Sequence, residues 1–222
     1  MPRLRVRYER PQLRLWIRWI CFAASAACLA AVAFSWVERE HSQAQARVSF
    51  EQLIQEHTSP AAVPVHKQAV SRPITEIVQP LAKLEIKRLG ISGYVEEGLD
   101  TATLARAIGH SPTSARPGSM GNIVLAAHRD TFFSGLRDVK LDDVIDVQST
   151  SGAKYQYKVS QIMIVDPKDN WVLQPVSGQD MLTLVTCYPF HFIGNAPQRL
   201  IVQAQPMQSS EEARKTAVRP RA

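Results

Sequence analysis

A run of nineteen residues without a charged side chain, residues 19–37, constrains this chain more than any other feature of its sequence. As a helix rising about 1.5 Å per residue, the run is roughly 28 Å long, close to the roughly 30 Å hydrocarbon thickness of a bilayer. The run therefore predicts one transmembrane helix, through which the chain contacts the lipid bilayer.

The flanks of this run predict its orientation. Residues 1–18 contain six arginines and one acidic residue, Glu9. The positive-inside rule keeps such an end in the cytoplasm, so everything after residue 37 is expected outside it. A cleavable signal peptide has a shorter apolar region that ends in small residues, whereas this run ends in bulky Phe34 and Trp36. We therefore expect an uncleaved, single-pass anchor.

The net charge of +6 comes from outside the central part of the chain. Residues 1–18 contribute +5, whereas residues 81–205 sum to zero. A nucleic-acid-binding protein concentrates basic residues on its folded domain, so we expect no nucleic-acid partner.

Composition also predicts the domain boundaries. Residues 38–80 are polar and contain four prolines and no glycine, which is typical of an extracytoplasmic stalk that is partly helical and then extended. Residues 206–222 show no apolar period and are expected to be disordered. One folded domain is therefore expected between them, at 81–205.

That domain carries a pattern of short strands. Tyr155, Tyr157 and Val159 alternate with polar residues, which is the two-residue period of a half-buried strand. Other apolar segments of strand length lie at 84–86, 123–127, 144–147, 181–186 and 200–204, and turn signals such as Gly178 separate them. One short helix is predicted at 101–108 and a second near 132–139. Many short strands in so few residues predict a mainly β protein, a closed or nearly closed barrel.

Cys187 is the only cysteine outside the apolar run, which holds Cys21 and Cys28. It ends the apolar strand LTLVTCYPF, because Pro189 cannot continue a β-ladder. A lone extracytoplasmic thiol is either buried and inert or used in chemistry, and its own surroundings in the sequence leave both open.

His128 and Arg199 also lie at strand ends, after IVLAA and at the start of 198–204. Each alone is most simply a structural or solvated residue. If the three strands meet at one rim, however, Cys187, His128 and Arg199 supply a nucleophile, a proton carrier and a cation for acyl transfer.

These segments carry a family resemblance. The run TLVTC that ends at Cys187, with His128 upstream and Arg199 downstream, resembles the signature of sortases. LAAHRDTFF from Leu125, LTLVTCYPF and IGNAPQRLIV from Ile193 are similar to class D sortases, and the resemblance extends over roughly residues 80–205, including LEIKRLGI.

The resemblance implies an eight-stranded sortase β-barrel in a bacterial cell membrane. It further implies a cysteine transpeptidase that cleaves a Leu-Pro-x-Thr-type sorting signal of surface proteins after threonine, through a thioacyl intermediate passed to an amine acceptor. It gives Thr186 a supporting contact near the oxyanion. One departure is Ala127, where many relatives have glycine before the histidine.

Other residues compete for these roles. His110 is expected in a loop and His191 lies beyond a turn, so neither has the strand-end setting of His128. The acidic residues Asp142, Asp143 and Asp146 suggest calcium, but without a recognisable loop pattern a solvated face is the better interpretation. We expect no metal site and no cofactor.

Two rival functions remain open from the sequence. A membrane-anchored cysteine peptidase that only hydrolyses its substrate would pass through the same intermediate. A non-catalytic membrane assembly protein could keep the barrel, although the presence of Cys187, His128 and Arg199 argues against it.

Overall fold

The computed structural model of the protein describes residues 11–58, 79–174 and 180–207. The first ten residues, residues 59–78 of the predicted stalk (38–80), the predicted turn at Gly178 and residues 208–222 of the predicted tail (206–222) lie outside the described residues. Pro206, the first residue of the predicted tail, is the last residue of a strand.

Strands dominate the described part that follows the first helix. The helices are α1 (Pro11–Thr58) and α2 (Thr101–Arg106), with short 3-10 segments at Lys87–Leu89, Ser134–Asp138 and Asn170–Leu173. The strands are β1 (Ala82–Ile86), β2 (Ile91–Glu97), β3 (Ile108–His110), β4 (Asn122–Ala126), β5 (Val144–Ser149), β6 (Lys154–Val165), β7 (Met181–Tyr188) and β8 (Gln198–Pro206).

The eight strands close into a barrel in the order β1-β2-β3-β4-β7-β8-β6-β5. β1 closes it by pairing with β5, and β2–β3 and β4–β7 are the parallel pairs. Because a closed barrel leaves no unpaired edge, every strand is hydrogen-bonded on both sides. The predicted mainly β, eight-stranded barrel is confirmed.

The interior of the barrel is built from alternate residues of each strand. Tyr155, Tyr157 and Val159 are buried in one apolar core with Leu182 and Leu184 of β7. The polar residues between the β6 members lie on the outer face, as the two-residue period predicts. The residues of β7 that alternate with Leu182 and Leu184, such as Val185, therefore lie on the outer face of the barrel.

Two strands are not predicted by the sequence pattern. β2 is buried at five of its seven positions and so has no clean alternation, and β3 has only three residues. β3 follows directly after α2, so the predicted helix at 101–108 ends at Arg106. The second predicted helix is the 3-10 segment Ser134–Asp138.

The first helix divides between two compact units, Met1–His41 and Ser42–Ala222. In the first, the segment Trp16–Phe34 is long and apolar enough to cross a membrane, by length and composition. It begins three residues before the predicted run at 19–37.

In the second unit, the end of α1 packs on the barrel domain. Ala46 and Phe50 are buried against Tyr94 of β2, and the Phe50 and Tyr94 rings lie 5.5 Å apart. The Gln43 amide donates to the Arg106 carbonyl (2.7 Å) and accepts from the Tyr94 N–H (3.2 Å). The compact unit thus includes residues from Ser42, which the sequence pattern places in the stalk.

Candidate active site

Cys187 and Arg199 lie opposite each other on neighbouring strands. β7 and β8 are antiparallel, and their register pairs Cys187 with Arg199. This places the end of β7 and the start of β8 at one rim of the barrel. Two of the three predicted site residues are therefore cross-strand neighbours, a spacing of about 4.5 to 5.5 Å between Cβ atoms.

His128 follows β4, the strand on the other side of β7. β4 and β7 run parallel with Ala126 opposite Val185, so their C-terminal ends lie at the same rim. The Ala127 N–H donates to the Val185 carbonyl (3.2 Å), which continues the pairing one residue further. His128 comes next in the chain, so it follows the end of β4 at the rim where β7 delivers Cys187.

All three predicted residues are half-buried, which makes them accessible from the outside of the barrel. Leu184 lies in the barrel core, so Cys187, three residues on, lies on the outer face of β7 together with Val185. Its thiol is free.

The Arg199 guanidinium is partly engaged by the chain between β7 and β8. Its Nη1 donates to the carbonyls of Ala196 (3.1 Å) and Gln198 (2.9 Å). Among the described residues, Nη2 and Nε have no hydrogen-bond partner. Two nitrogens of the guanidinium therefore remain available as donors.

Thr186 is buried, with 2% of its surface exposed. Its Oγ1 donates to the Ala127 carbonyl at 2.8 Å, across the β4–β7 pair. In this structure the hydroxyl fixes the backbone immediately before His128. The methyl group of Ala127 belongs to the apolar core.

The two competing histidines do not share the half-buried position after a strand that His128 has. His110 is in β3 rather than in the expected loop, and it is only 1% exposed. Its Nδ1 lies 2.8 Å from Glu97 Oε1 and its Nε2 lies 2.9 Å from the Ala115 carbonyl, so the ring joins β2 to the loop after β3. His191 is exposed in the segment after β7.

The three aspartates of the acidic cluster have separate partners. Asp142 pairs with Lys158 (2.7 Å) and Asp146 with Lys87 (3.3 Å). Asp143 is 7% exposed, so the prediction of a solvated face is wrong for this residue. Its carboxylate pairs with Arg88, and that hydrogen bond holds the pKa of Asp143 below its ordinary value. In the described part of the chain, no group of three or more His, Cys, Asp or Glu is arranged to hold a metal ion.

A polar network that the sequence does not reveal lies further along the same outer face. Asn122 is 2% exposed, and its amide donates to the Leu173 carbonyl (3.0 Å) and accepts from Thr183 Oγ1 (2.7 Å). Gln203 of β8 donates to the Val172 carbonyl (3.1 Å). These hydrogen bonds attach the 3-10 segment Asn170–Leu173 to β4 and β8, on either side of β7. No sequence motif marks Asn122 or Gln203 as its anchors.

A cavity of about 460 Å³ lies away from this rim. It is lined by charged and polar residues of β1, β5 and β6, including Lys83, Glu85 and Asp146. Because Lys83 pairs with Glu85 (2.7 Å) and Asp146 with Lys87, the cavity wall is an ion-paired outer surface. It contains none of the predicted site residues.

The fold and the site together define a closed β-barrel protein with cysteine, histidine and arginine at the ends of three adjacent strands. The Sortase domain family model matches residues 84–207. Sortase D of Bacillus subtilis (strain 168) is 34% identical over 119 residues, which cover 54% of this chain and 60% of that protein. The match therefore spans less than two thirds of the Bacillus protein.

Solved structures show the same fold. A Clostridium perfringens Sortase D5 transpeptidase aligns with a TM-score of 0.58 at 23% identity, covering 74% of this chain and 99% of that one. Sortase C-1 from Actinomyces oris aligns with a TM-score of 0.53 at 30% identity, covering 58% and 75%. The chain belongs to the sortase family. Its 34% identity to Sortase D agrees with the resemblance to class D sortases that the sequence motifs carry.

Proposed function

We propose that this protein is a membrane-anchored cysteine transpeptidase that cleaves a Leu-Pro-x-Thr-type sorting signal after threonine and transfers the product to an amine. The observation that carries the proposal is the pairing of Cys187 with Arg199 across β7 and β8, with His128 at the adjoining end of β4. The substrates are surface proteins that bear a C-terminal sorting signal, and the second partner is the amine acceptor.

In the first stage, the Cys187 thiolate attacks the threonine carbonyl carbon. The peptide C–N bond breaks, and the His128 imidazolium gives its proton to the departing amine. Arg199 donates from its available nitrogens to the oxyanion or to the adjacent substrate backbone. The threonine carbonyl is then held as a thioester on Cys187.

In the second stage, the acceptor amine attacks that thioester. The neutral His128 imidazole takes a proton from the amine, a new amide bond forms, and the C–S bond breaks to return the Cys187 thiolate. The atoms balance without a metal ion or a redox partner.

The outer face of the barrel next to Cys187 suits an apolar peptide. Val185, two residues before Cys187 on β7, pairs with Ala126 of β4 on one side and with Ile201 of β8 on the other. Ala126 and Val185 are half-buried rather than covered. Ile201 is only 2% exposed, so it is already covered. We propose that Ala126 and Val185 receive the apolar residues of the sorting signal while its threonine lies at Cys187.

The full-length chain in detergent tests the function directly. We expect a sorting peptide to be cleaved after threonine, and a conjugate to form when a defined amine is added. Hydrolysis without a conjugate, across a panel of amines, would favour the cysteine peptidase. A thiol-reactive analogue of the sorting peptide that fails to label the chain would favour the non-catalytic assembly protein. Cys187→Ala is the matched control for both assays.

We also propose that the N-terminus lies in the cytoplasm and the barrel outside it. The six arginines before the apolar run support this orientation. Protease added to intact spheroplasts should then remove the barrel, and full protection would contradict the proposed sidedness.

A further inference from the structure

Arg129, the residue after His128, holds the loop that joins β7 to β8. Its Nη1 donates to the Pro189 carbonyl (2.9 Å), and its Nη2 donates to the carbonyls of Phe192 (2.6 Å) and Gly194 (3.2 Å). One guanidinium thus binds three carbonyls of a single loop, between 60 and 65 residues away in sequence. Hydrogen bonds from a charged donor are about twice as strong as neutral ones.

Phe190, at the start of this loop, packs against the barrel core and the Tyr188 ring, but the rest of the loop has few contacts. Within residues 189–197 of the described chain, the backbone hydrogen bond is the long one from the Phe192 N–H to the Pro189 carbonyl (3.4 Å). Ile193 at its tip is 97% exposed and Phe192 is 44% exposed. Beyond Phe190, the side-chain hydrogen bonds that hold the loop come from Arg129 and, at Ala196, from Arg199.

The same loop supports the side chain of Arg199. Arg199 Nη1 donates to the carbonyls of Ala196 and Gln198, two and four residues after Gly194, the last residue that Arg129 binds. A short stretch of loop backbone thus connects the hydrogen bonds of Arg129 to those of the Arg199 guanidinium. Because Arg129 directly follows His128 in the chain, it connects the end of β4 to the loop that joins β7 to β8.

We propose that Arg129 is a positioning residue, which fixes the β7–β8 loop and through it the guanidinium of Arg199 relative to Cys187. This inference rests on the proposed transpeptidase function for its kinetic consequence. The structural consequence, a loop held by Arg129, is independent of that function.

Arg129 is not itself a further substrate cation. Both of its terminal nitrogens are bound to protein carbonyls, whereas two nitrogens of Arg199 remain available. Its loss should therefore lower kcat by misplacing Arg199, with little change in the KM of the sorting peptide. Misplacing a catalytic group by about 1 Å costs on the order of a hundredfold in rate.

The test uses the full-length chain in detergent with Arg129→Ala and Arg129→Lys. Arg137→Lys is the matched control, because Arg137 donates only within its own turn, to the Ser134 carbonyl (2.9 Å). Chymotrypsin cleavage after Phe192 reports on the loop without any catalytic turnover. We expect this cleavage to be roughly tenfold faster in Arg129→Ala, since proteolysis follows the population of the open form.

The kinetic arm is a double-variant cycle between Arg129 and Arg199. We expect Arg129→Ala to lower kcat on the order of ten- to a hundredfold in the wild-type chain, and to have a much smaller effect when Arg199→Ala is already present. Lysine at 129 reaches fewer carbonyls and should give an intermediate loss. Thermal melting confirms that each variant is folded.

The outcomes separate the two claims. Unchanged cleavage after Phe192 in both Arg129 variants would overturn the inference, and so would a loss of kcat that is fully additive with Arg199→Ala. If the wild-type chain forms no conjugate, the proposed function fails, and the proteolysis arm still decides whether Arg129 holds the loop.

Discussion

Phe50→Ala should destabilise the barrel domain although Phe50 lies on α1, outside the barrel. Phe50 is 3% exposed and packs on Tyr94, which is 8% exposed on the outer face of β2. Ala46 is buried in the same small cluster, and Ile54 packs against it. The substitution removes the largest apolar contact between helix and barrel.

The magnitude follows from the size and openness of this cluster. Burying a phenylalanine is worth about 1.5–3 kcal/mol, and truncation in a closed core costs about 3–5 kcal/mol because a cavity remains. Here the end of α1 can detach from the barrel instead of leaving a cavity. The loss in the free energy of unfolding therefore cannot exceed the free energy with which this part of α1 docks on the barrel. We therefore expect a loss of about 2 kcal/mol in the free energy of unfolding.

Thermal unfolding of the full chain in detergent measures this loss. For a unit of this size, 2 kcal/mol corresponds to a fall in Tm of about 4–8 °C. Val48→Ala is the matched control, since Val48 is on the same helix but 56% exposed. A chain that begins at residue 80 should still fold, because the barrel closes without the helix, but should melt at least as low as Phe50→Ala. A Tm for Phe50→Ala within about 1 °C of the control would refute the reasoning.

Three further predictions concern the site and its support. Cys187→Ala should abolish cleavage and transfer with an unchanged Tm, whereas Cys21→Ser should leave the turnover of sorting peptides unchanged. Arg199→Lys should lower turnover by about 10² to 10³, because an ammonium lacks the planar fork of donors, while Arg137→Lys should be nearly silent in the same assay. The lowered pKa of Asp143 implies stability that is present above its unfolded pKa of about 4 and is lost as the pH falls through the folded value. Acid titration of Tm should therefore be flatter in Asp143→Asn, and an unchanged profile would contradict the role of that ion pair.

Much of the barrel and the arrangement of its site can be predicted from the sequence. β6 alternates along most of its length, and β4 and β7 are apolar runs with clear ends. The strand pattern places Cys187, His128 and Arg199 at strand ends, and the resemblance to sortases is what groups them as one proposed site. The register of β7 and β8 places Cys187 opposite Arg199, which no sequence period specifies.

Other features depend on contacts distant in sequence. Tyr94 is on the outer face of β2, where Phe50 of α1 covers it. Because an aromatic residue occupies an outer position, β2 lacks the alternation of apolar and polar residues that would identify it as a strand. Asp143 accepts a hydrogen bond from the nearby Lys140 N–H (2.8 Å), but its ion-pair partner, Arg88, is 55 residues away. Arg129 stands out in the sequence only as part of the segment LAAHRDTFF, and the loop carbonyls that it binds are 60 to 65 positions further on. Such pairings follow from the closed topology rather than from local pattern.

The central claim is that Cys187 is the nucleophile of a transpeptidase. Intact-mass and peptide-mapping mass spectrometry of the full chain, mixed with a Leu-Pro-x-Thr-type peptide and quenched in acid, measures this most directly. We expect an added mass equal to the peptide acid that ends at threonine less one water, located on Cys187, lost on adding an amine and recovered in the amine conjugate. Absence of the adduct across a panel of sorting peptides, or an adduct on any other residue, would contradict it.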